Sequence, residues 1–168
     1  MRIYALLLTV LLIASSCEKQ DLPGEITSSE DRISVFGGSQ NDVAQSVIAT
    51  SDGGFAILGS TQSNDGDVSD KSDTSFDFWL LKFNSNSDIE WSKTYGGSDD
   101  DRGRSLIQTS DGGYALLGYN TSSDGDASTN NGSRDFWLIK TDALGNLLWE
   151  KSYGFSGPDE GIKIIETS

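Results

Sequence analysis

Residues Thr109–Gly118 read TSDGGYALLG, and nearly the same ten letters occur earlier in the chain, as TSDGGFAILG at Thr50–Gly59. The two copies lie 59 positions apart, as the offset between Asp52 and Asp111 shows. A glycine pair after an aspartate supplies the positive φ angles that a tight turn needs, and the apolar runs beside it suit strands. The repeated stretch therefore predicts a β-hairpin that occurs twice.

Other segments repeat at nearly the same spacing. The hexapeptide DFWLLK at Asp77–Lys82 recurs as DFWLIK at Asp135–Lys140. The segment WSKTYGG at Trp91–Gly97 aligns with RISVFGG at 32–38 and with WEKSYGF at 149–155. All four tryptophans of the chain fall in this register. The agreement of so many rare residues indicates a repeated structural unit.

Each unit is predicted to contain four strands. The third strand is apolar on both faces, which is typical of a strand packed on each side. The fourth strand alternates, and Ile89, Trp91 and Tyr95 are expected to share one face. The predicted strands are 44–50, 55–60, 77–83 and 89–95 in one unit, and 103–109, 114–119, 135–140 and 147–153 in the next.

The tryptophans are predicted to have two different environments. Trp79 and Trp137 lie in third strands that are apolar on both faces, so we expect them in the core. Trp91 and Trp149 lie on amphipathic fourth strands, where partial exposure is compatible with the pattern, and we expect them to pack under the neighbouring loop. The alternative for the aromatic rings is stacking against a sugar.

Four antiparallel strands every 58 or 59 residues are typical of a β-propeller blade. The predicted fold class is all-β, with propeller-type repeats of four-stranded antiparallel blades. The repeat domain is expected to cover 32–168, with units at about 44–95 and 103–153, a partial third unit at 161–168 and an odd strand at 33–36.

Two full blades and two odd strands do not close a ring, because propellers typically have about four to eight blades. We therefore expect an incomplete propeller, and our hypothesis is that the sequence is the N-terminal part of a longer protein. The alternative is a short chain that assembles with copies of itself.

These motifs resemble the quinoprotein-like propeller repeats of bacterial surface lipoproteins and secreted proteins. The shared pattern is DGG followed by Tyr or Phe, then D-F-W-L-x-K, then W-x-K-x-Y-G, and it covers nearly all of residues 33–168. The resemblance implies the propeller fold. It implies no activity, because no residue here matches a catalytic residue of the relatives labelled as lectin-like or endoglucanase-like. A quinone cofactor would need a complete ring, so we expect none in this segment.

The N-terminus is predicted to be a lipoprotein signal peptide. Arg2 precedes the apolar run 3–14, which is too short to span a bilayer and is typical of an export signal. The segment Ala14-Ser15-Ser16-Cys17 resembles a bacterial lipobox. We expect residues 1–16 to be removed, Cys17 to be lipidated, and residues 17–31 to form a flexible tether.

The cysteine content supports lipidation. Cys17 is the single cysteine, so an exported chain has no disulfide partner for it within the molecule. The alternative is a signal for soluble export with an incidental cysteine. Glu18-Lys19 follows Cys17, without an aspartate that would suggest retention at the inner membrane. The expected location is the outer membrane or the cell surface, with the membrane as a partner through the lipid anchor.

Charge and residue content exclude several classes of function. The formal net charge is −14, and it becomes −15 when the signal peptide takes Arg2 away, so nucleic acid is not an expected partner. No histidine is present, which excludes Ser-His-Asp and Cys-His catalysis and histidine-based zinc sites. A glycosidase needs only two carboxylates, but the sequence singles out no pair among 26 acids.

The expected function is therefore a membrane-anchored binding or scaffolding module, with a glycan or a protein as its ligand and no cofactor. The alternative is the N-terminal part of a secreted polysaccharide-acting or quinoprotein-like enzyme whose active site lies in further blades.

Two acidic loops are candidate Ca²⁺ sites. Asp65, Asp67 and Ser69 alternate oxygen ligands around a glycine, and Asp124 and Asp126 match the two aspartates in the next unit. The sixth-position glycine and the closing glutamate of an EF-hand loop are both missing. The alternative is a solvated turn, because Asx and glycine residues dominate turns. The run 99–101, three aspartates, is likewise predicted to be a solvated connection between units.

Overall fold

A computed structural model describes residues 34–167 of the chain. The predicted signal peptide at 1–16, the lipidation site Cys17 and the predicted tether at 17–31 lie outside the described residues. The regular secondary structure of the described part is β, which confirms the all-β prediction. The eight strands form two antiparallel sheets that do not close into a ring within residues 34–167. No helix in that range is long and apolar enough to cross a membrane.

Both sheets have the same plan, in which strands that follow one another in sequence are neighbours in space. The predicted strands agree with the observed ones to within two residues at each end. Sheet 1 contains β1 (Asp42–Ala49), β2 (Phe55–Thr61), β3 (Asp77–Phe83) and β4 (Ile89–Tyr95), and sheet 2 contains β5 (Arg102–Gln108), β6 (Tyr114–Asn120), β7 (Asp135–Thr141) and β8 (Leu147–Tyr153).

The two faces of each sheet are equivalent between the repeats. We call the face that carries Trp79 in sheet 1, or Trp137 in sheet 2, the front face, and the opposite face the back face. Trp79 pairs with Gly59 and Trp137 with Gly118 in the same register. Phe78 lies on the back face of sheet 1, because alternate residues of a strand point to opposite sides. A side chain's position in one sheet therefore predicts the position of its counterpart in the other.

The core lies at the joint where the back face of sheet 1 packs on the front face of sheet 2. Phe78 meets Trp137 edge to face, with ring centroids 5.0 Å apart. Trp137 is fully buried, and the Tyr95 hydroxyl donates a 2.6 Å hydrogen bond across the joint to the carbonyl oxygen of Gly145. The other buried residues of this core are Ala56, Leu58, Leu80, Leu106, Tyr114, Leu116, Ala127 and Ile139.

The predictions for Trp79, Trp137 and Trp91 are confirmed, whereas Trp149 is not covered by a loop of the described residues. Trp79 and Trp137 are 5% and 0% exposed. Trp149 is 49% exposed, and Trp91 is partly buried against the joint core. The difference between these last two arises because the turn at Gly145 in sheet 2 covers Trp91.

The prediction that Ile89 shares a face of the fourth strand with Trp91 and Tyr95 is wrong. A register shift between Lys82 and Phe83 places a bulge in β4, so that Phe83 pairs with Ile89 and Lys82 pairs with Trp91. Ile89 therefore packs in the front-face cluster of sheet 1, and Trp91 packs on the back face. A bulge adds one residue to one strand and reverses the alternation beyond it, which a simple alternating pattern does not reveal.

The C-terminal residues 161–167 approach sheet 2 as β5 approaches sheet 1. A side chain at Gly161 would overlap Leu117, and one at Gly103 would overlap the equivalent Leu58. Gln108 accepts a 2.8 Å hydrogen bond from the Ser51 backbone, and further along the chain Glu166 accepts a 3.1 Å bond from Ser110. The repeat therefore continues in space beyond β8.

The predicted odd strands are not formed in the described residues. Residues 34–36 and 161–167 have no strand assignment, although both segments lie against a sheet. A strand requires a neighbour with which it exchanges backbone hydrogen bonds, and neither segment has such a ladder among residues 34–167. Phe36 nevertheless packs edge to face on Phe83, with ring centroids 4.9 Å apart.

Candidate functional site

The acidic loops that were predicted as Ca²⁺ candidates accept hydrogen bonds from backbone N–H groups. In sheet 2, Asp124 Oδ1 accepts a 2.8 Å hydrogen bond from the Ser98 backbone, and Asp126 Oδ2 accepts a 3.2 Å bond from Gly96. The backbone of Asp126 also donates to the Gly96 carbonyl oxygen, at 2.8 Å. Residues 96–98 belong to the linker from β4 to β5, so this loop clamps the linker between the two sheets.

Sheet 1 repeats the same clamp. Asp65 Oδ1 accepts a 2.7 Å bond from the Ser39 backbone, and Asp67 Oδ2 accepts a 2.9 Å bond from Gly37. Ser69 is exposed beside this clamp. Within residues 34–167, no group of three or more acidic, histidine or cysteine side chains is arranged to hold a metal ion. The Ca²⁺ site stays a prediction, and the geometry does not favour it because Ca²⁺ takes about six to eight oxygens.

A further aspartate completes each clamp, and it corrects the prediction of a solvated run at 99–101. Asp101 is fully buried. Its Oδ2 accepts a 3.0 Å bond from Gly97, and its Oδ1 accepts bonds of 2.8 Å from Thr121 and 3.2 Å from Ser122. Asp42 accepts a bond from the Gly38 backbone in the same way. A buried carboxylate needs such donors, since an unpaired one would be costly.

The clamp requires a glycine at position 125, and this requirement is testable. Gly125 has φ of +64°, and a Cβ there would overlap the Gly96 carbonyl oxygen. Gly112 also has positive φ, at +84°, but a Cβ there would have nothing within 4 Å. Gly125→Ala should therefore lose more stability than Gly112→Ala, by roughly 1–3 kcal/mol for the overlap.

Urea denaturation of both variants measures this difference. The left-handed backbone conformation costs each alanine about the same, ~1–2 kcal/mol, so this cost cancels in the comparison and the overlap remains. Equal losses of stability in the two variants would show that the clamp does not pack closely.

An acidic cleft of about 330 Å³ lies beside the clamp of sheet 2. Lys71 is buried in its wall and forms ion pairs with Asp73 and, at 3.0 Å, with Asp77. Asp70 accepts bonds from the Thr94 backbone and hydroxyl, at 3.1 and 2.9 Å. The carboxylates of this cleft are thus used to fix the loop 70–77 and the end of β4.

Burial raises the pKa of Asp77 from 3.8 to about 7, and the hydrogen bond from Lys71 opposes this shift. Within the described part of the chain, Asp77 Oδ1 has no hydrogen-bond partner, and neither has Oδ1 of its counterpart Asp135. Both oxygens face a glycine, Gly96 or Gly154, where a side chain would collide with them. Because the arrangement occurs in both repeats, we interpret it as part of the fold.

The raised pKa predicts a pH dependence of stability. An acid with a raised pKa in the folded state holds its proton there while the unfolded chain has lost it, so stability falls as pH rises from about 4 to about 7. Asp77→Asn should reduce this fall, which urea denaturation at pH 4.5 and 7.5 would measure. Burial also raises the pKa of Asp101 and Asp126, so part of the fall should remain.

Asp99→Asn is the matched control, because Asp99 is exposed on the same part of the chain. The stability of Asp99→Asn should change between pH 4.5 and 7.5 by the same amount as that of the wild type. An unchanged fall in stability in Asp77→Asn would contradict the assignment to Asp77.

A second cleft, of about 520 Å³, lies at the opposite end of the joint, where the Asp-Gly-Gly turns are. We call it the turn-end cleft. Both sheets contribute to it, and it was not predicted from the sequence. Its lining residues from sheet 1 are Ser51, Asp52, Lys82, Glu90 and Trp91, and those from sheet 2 are Gln108, Gly112, Tyr114, Ala143 and Leu144.

One lysine and two carboxylates form the charged wall of this cleft. Lys82 Nζ lies 2.8 Å from Asp52 Oδ2 and 2.6 Å from Glu90 Oε2. Burial alone would lower the pKa of Lys82, but its hydrogen bonds to the two carboxylates outweigh burial and raise it. The hydrogen bond from Lys82 is the main cause that lowers the pKa of Asp52. The wall therefore carries a net charge of −1 at neutral pH.

The aromatic part of the cleft consists of Trp91 and Tyr114. Their rings meet edge to face, with centroids 5.7 Å apart. Tyr114 is 1% exposed, and its hydroxyl makes no hydrogen bond to another of residues 34–167 and opens onto the cleft. Burial raises the pKa of this hydroxyl, on which the charges of Lys82, Asp52 and Glu90 also act.

Two lining residues depart from the repeat, and this departure is the sequence signal that could have located the cleft. Leu148 stands in sheet 2 where Glu90 stands in sheet 1. Among residues 34–167, the one ionic partner of Lys140 is therefore Asp111, at 2.9 Å. Phe55 stands in sheet 1 where Tyr114 stands in sheet 2. At these two positions the cleft carries a polar group where the other repeat has an apolar residue.

Comparison of the chain with protein-family models and with curated proteins found no match in either.

Proposed function

We propose that this chain is an exported lipoprotein, anchored through Cys17 in the outer membrane or at the cell surface. Its sheets are blades of a β-propeller of the quinoprotein-like repeat type, and its repeat domain serves as a binding module. The turn-end cleft is the ligand site. The observation that carries the proposal is this cleft, which both sheets build and in which polar groups remain available.

The packing of the sheets supports the assignment to propeller blades. The packing of the back face of one sheet on the front face of the next is a head-to-tail contact. Repetition of such a contact produces a ring when the rotation between successive units adds up to a full turn. Gly161 lies on Leu117 as Gly103 lies on Leu58, so a third repeat begins with the same placement as the second. Four antiparallel strands per repeat agree with a blade.

The use of the carboxylates supports binding rather than catalysis. The aspartates of the clamps accept backbone hydrogen bonds, and the carboxylates of the acidic cleft fix Lys71 and Thr94. In the turn-end cleft, Asp52 and Glu90 both bind the ammonium group of Lys82. A general acid or base exchanges a proton with its substrate, and each of these carboxylates already binds a structural partner through one oxygen.

The anchor is testable by metabolic labelling. Cells that express the full chain with radioactive palmitate should yield a labelled protein in the membrane pellet, because acylation of Cys17 adds alkyl chains that contribute roughly 0.8 kcal/mol per buried CH₂. Protease added to intact cells then distinguishes a surface-facing domain from a periplasmic one.

The control variant is Cys17→Ala, which removes the acylated sulfur and leaves the apolar run 3–14 in place. It should be unlabelled and should leave the pellet. Label in the variant, or unlabelled wild-type protein in the soluble fraction, would contradict the anchor.

A further inference from the structure

We propose that the turn-end cleft binds a neutral carbohydrate, with a sugar ring against the part of Trp91 that lines the cleft and with Tyr114, Glu90 and Gln108 bonded to its hydroxyls. This inference rests on the proposed function as a binding module and names the class of ligand. Ligand clefts typically measure about 300–1,000 Å³, and this one, at about 520 Å³, lies within that range.

The hydroxyl of Tyr114 is a further polar group of the cleft. Tyr95, the other tyrosine of the joint core, uses its hydroxyl to donate to Gly145. The Tyr114 hydroxyl makes no hydrogen bond to another described residue and opens onto the cleft that Tyr114 lines. A ligand hydroxyl in the cleft would replace water as its hydrogen-bond partner.

The other polar groups of the cleft offer both donors and acceptors. Glu90 uses Oε2 for Lys82 while its side chain stays 42% exposed, which leaves Oε1 as an acceptor. Gln108 binds Ser51 through Oε1 and Gly112 through one N–H of Nε2, which leaves its second N–H as a donor. A sugar hydroxyl donates and accepts at once, so it can satisfy this mixture.

The charge and the aromatic ring select against other ligands. Asp52 and Glu90 together carry one more negative charge than Lys82 neutralises. This charge would repel a phosphate or carboxylate ligand. An ammonium ligand has no lone pair for the N–H of Gln108. A purely apolar ligand would desolvate the free oxygen of Glu90 without bonding to it. A neutral polyhydroxylated ring avoids all three penalties, and its C–H face can pack on the indole of Trp91.

The repeat itself provides the test variants. Tyr114→Phe and Glu90→Leu introduce the residues that the other sheet already has at the same positions, Phe55 and Leu148, so both variants should fold. Each removes one hydrogen-bonding group from the cleft. A single hydrogen bond in a complex is worth about tenfold in affinity.

The experiment is affinity gel electrophoresis of the full chain through gels that contain dextran, xylan, mixed-linkage β-glucan or chitosan, in a polyoxyethylene detergent that contains no sugar. We expect at least one of the three neutral polysaccharides to retard the wild-type chain, and each variant to raise the dissociation constant about tenfold. Phe55→Tyr is the matched control, which adds a hydroxyl in the other sheet and should leave the affinity unchanged.

Three results would overturn the inference: no retardation by any neutral polysaccharide, retardation by cationic chitosan alone, or retardation that Tyr114→Phe and Glu90→Leu both leave intact. The palmitate experiment does not depend on the ligand. A labelled, membrane-bound chain that binds no carbohydrate would therefore refute the ligand class and leave the anchored binding module standing.

Discussion

The structure depends on one contact, the packing of the back face of sheet 1 on the front face of sheet 2. A four-stranded sheet with two apolar faces cannot keep both away from water by itself, so each face needs a neighbouring layer. Phe78 against Trp137 fills the centre of the contact, and Gly103 against Leu58 lets the backbones approach. The clamp loops hold the linker at one end of the contact, and the turn-end cleft opens at the other.

This arrangement places the clamps and the proposed ligand site at opposite ends of the joint. The end of the joint with the clamps uses its carboxylates on backbone N–H groups, so its sequence is fixed by the fold. At the end with the turns, Glu90 and Tyr114 replace residues that are apolar in the other repeat. A scaffold made of repeats can change such a position without loss of its packing, which is why we place the proposed ligand there.

The sequence was sufficient to predict the strands, because the Asp-Gly-Gly turns and the tryptophan register are local signals that occur twice. It was not sufficient for the clamps. Asp124 and Asp126 resemble metal ligands in spacing, and only the position of the linker shows that backbone N–H groups occupy their oxygens. The burial of Asp101 and the bulge beside Ile89 likewise depend on contacts between distant parts of the chain. The turn-end cleft arises from two sheets together, so no single repeat could predict it.

The central claim is that the joint makes the two sheets one cooperative unit. Native-state hydrogen exchange of the backbone amides in β3 and β7 tests it most directly, because the third strand is the most buried in sheet 1 and carries the joint tryptophan in sheet 2. The account predicts the same opening free energy for both strands, and the same decrease in both when Trp137→Leu weakens the joint. Exchange from β7 at a much lower free energy, with β3 unaffected by that substitution, would show that each sheet is stable by itself and would contradict the claim.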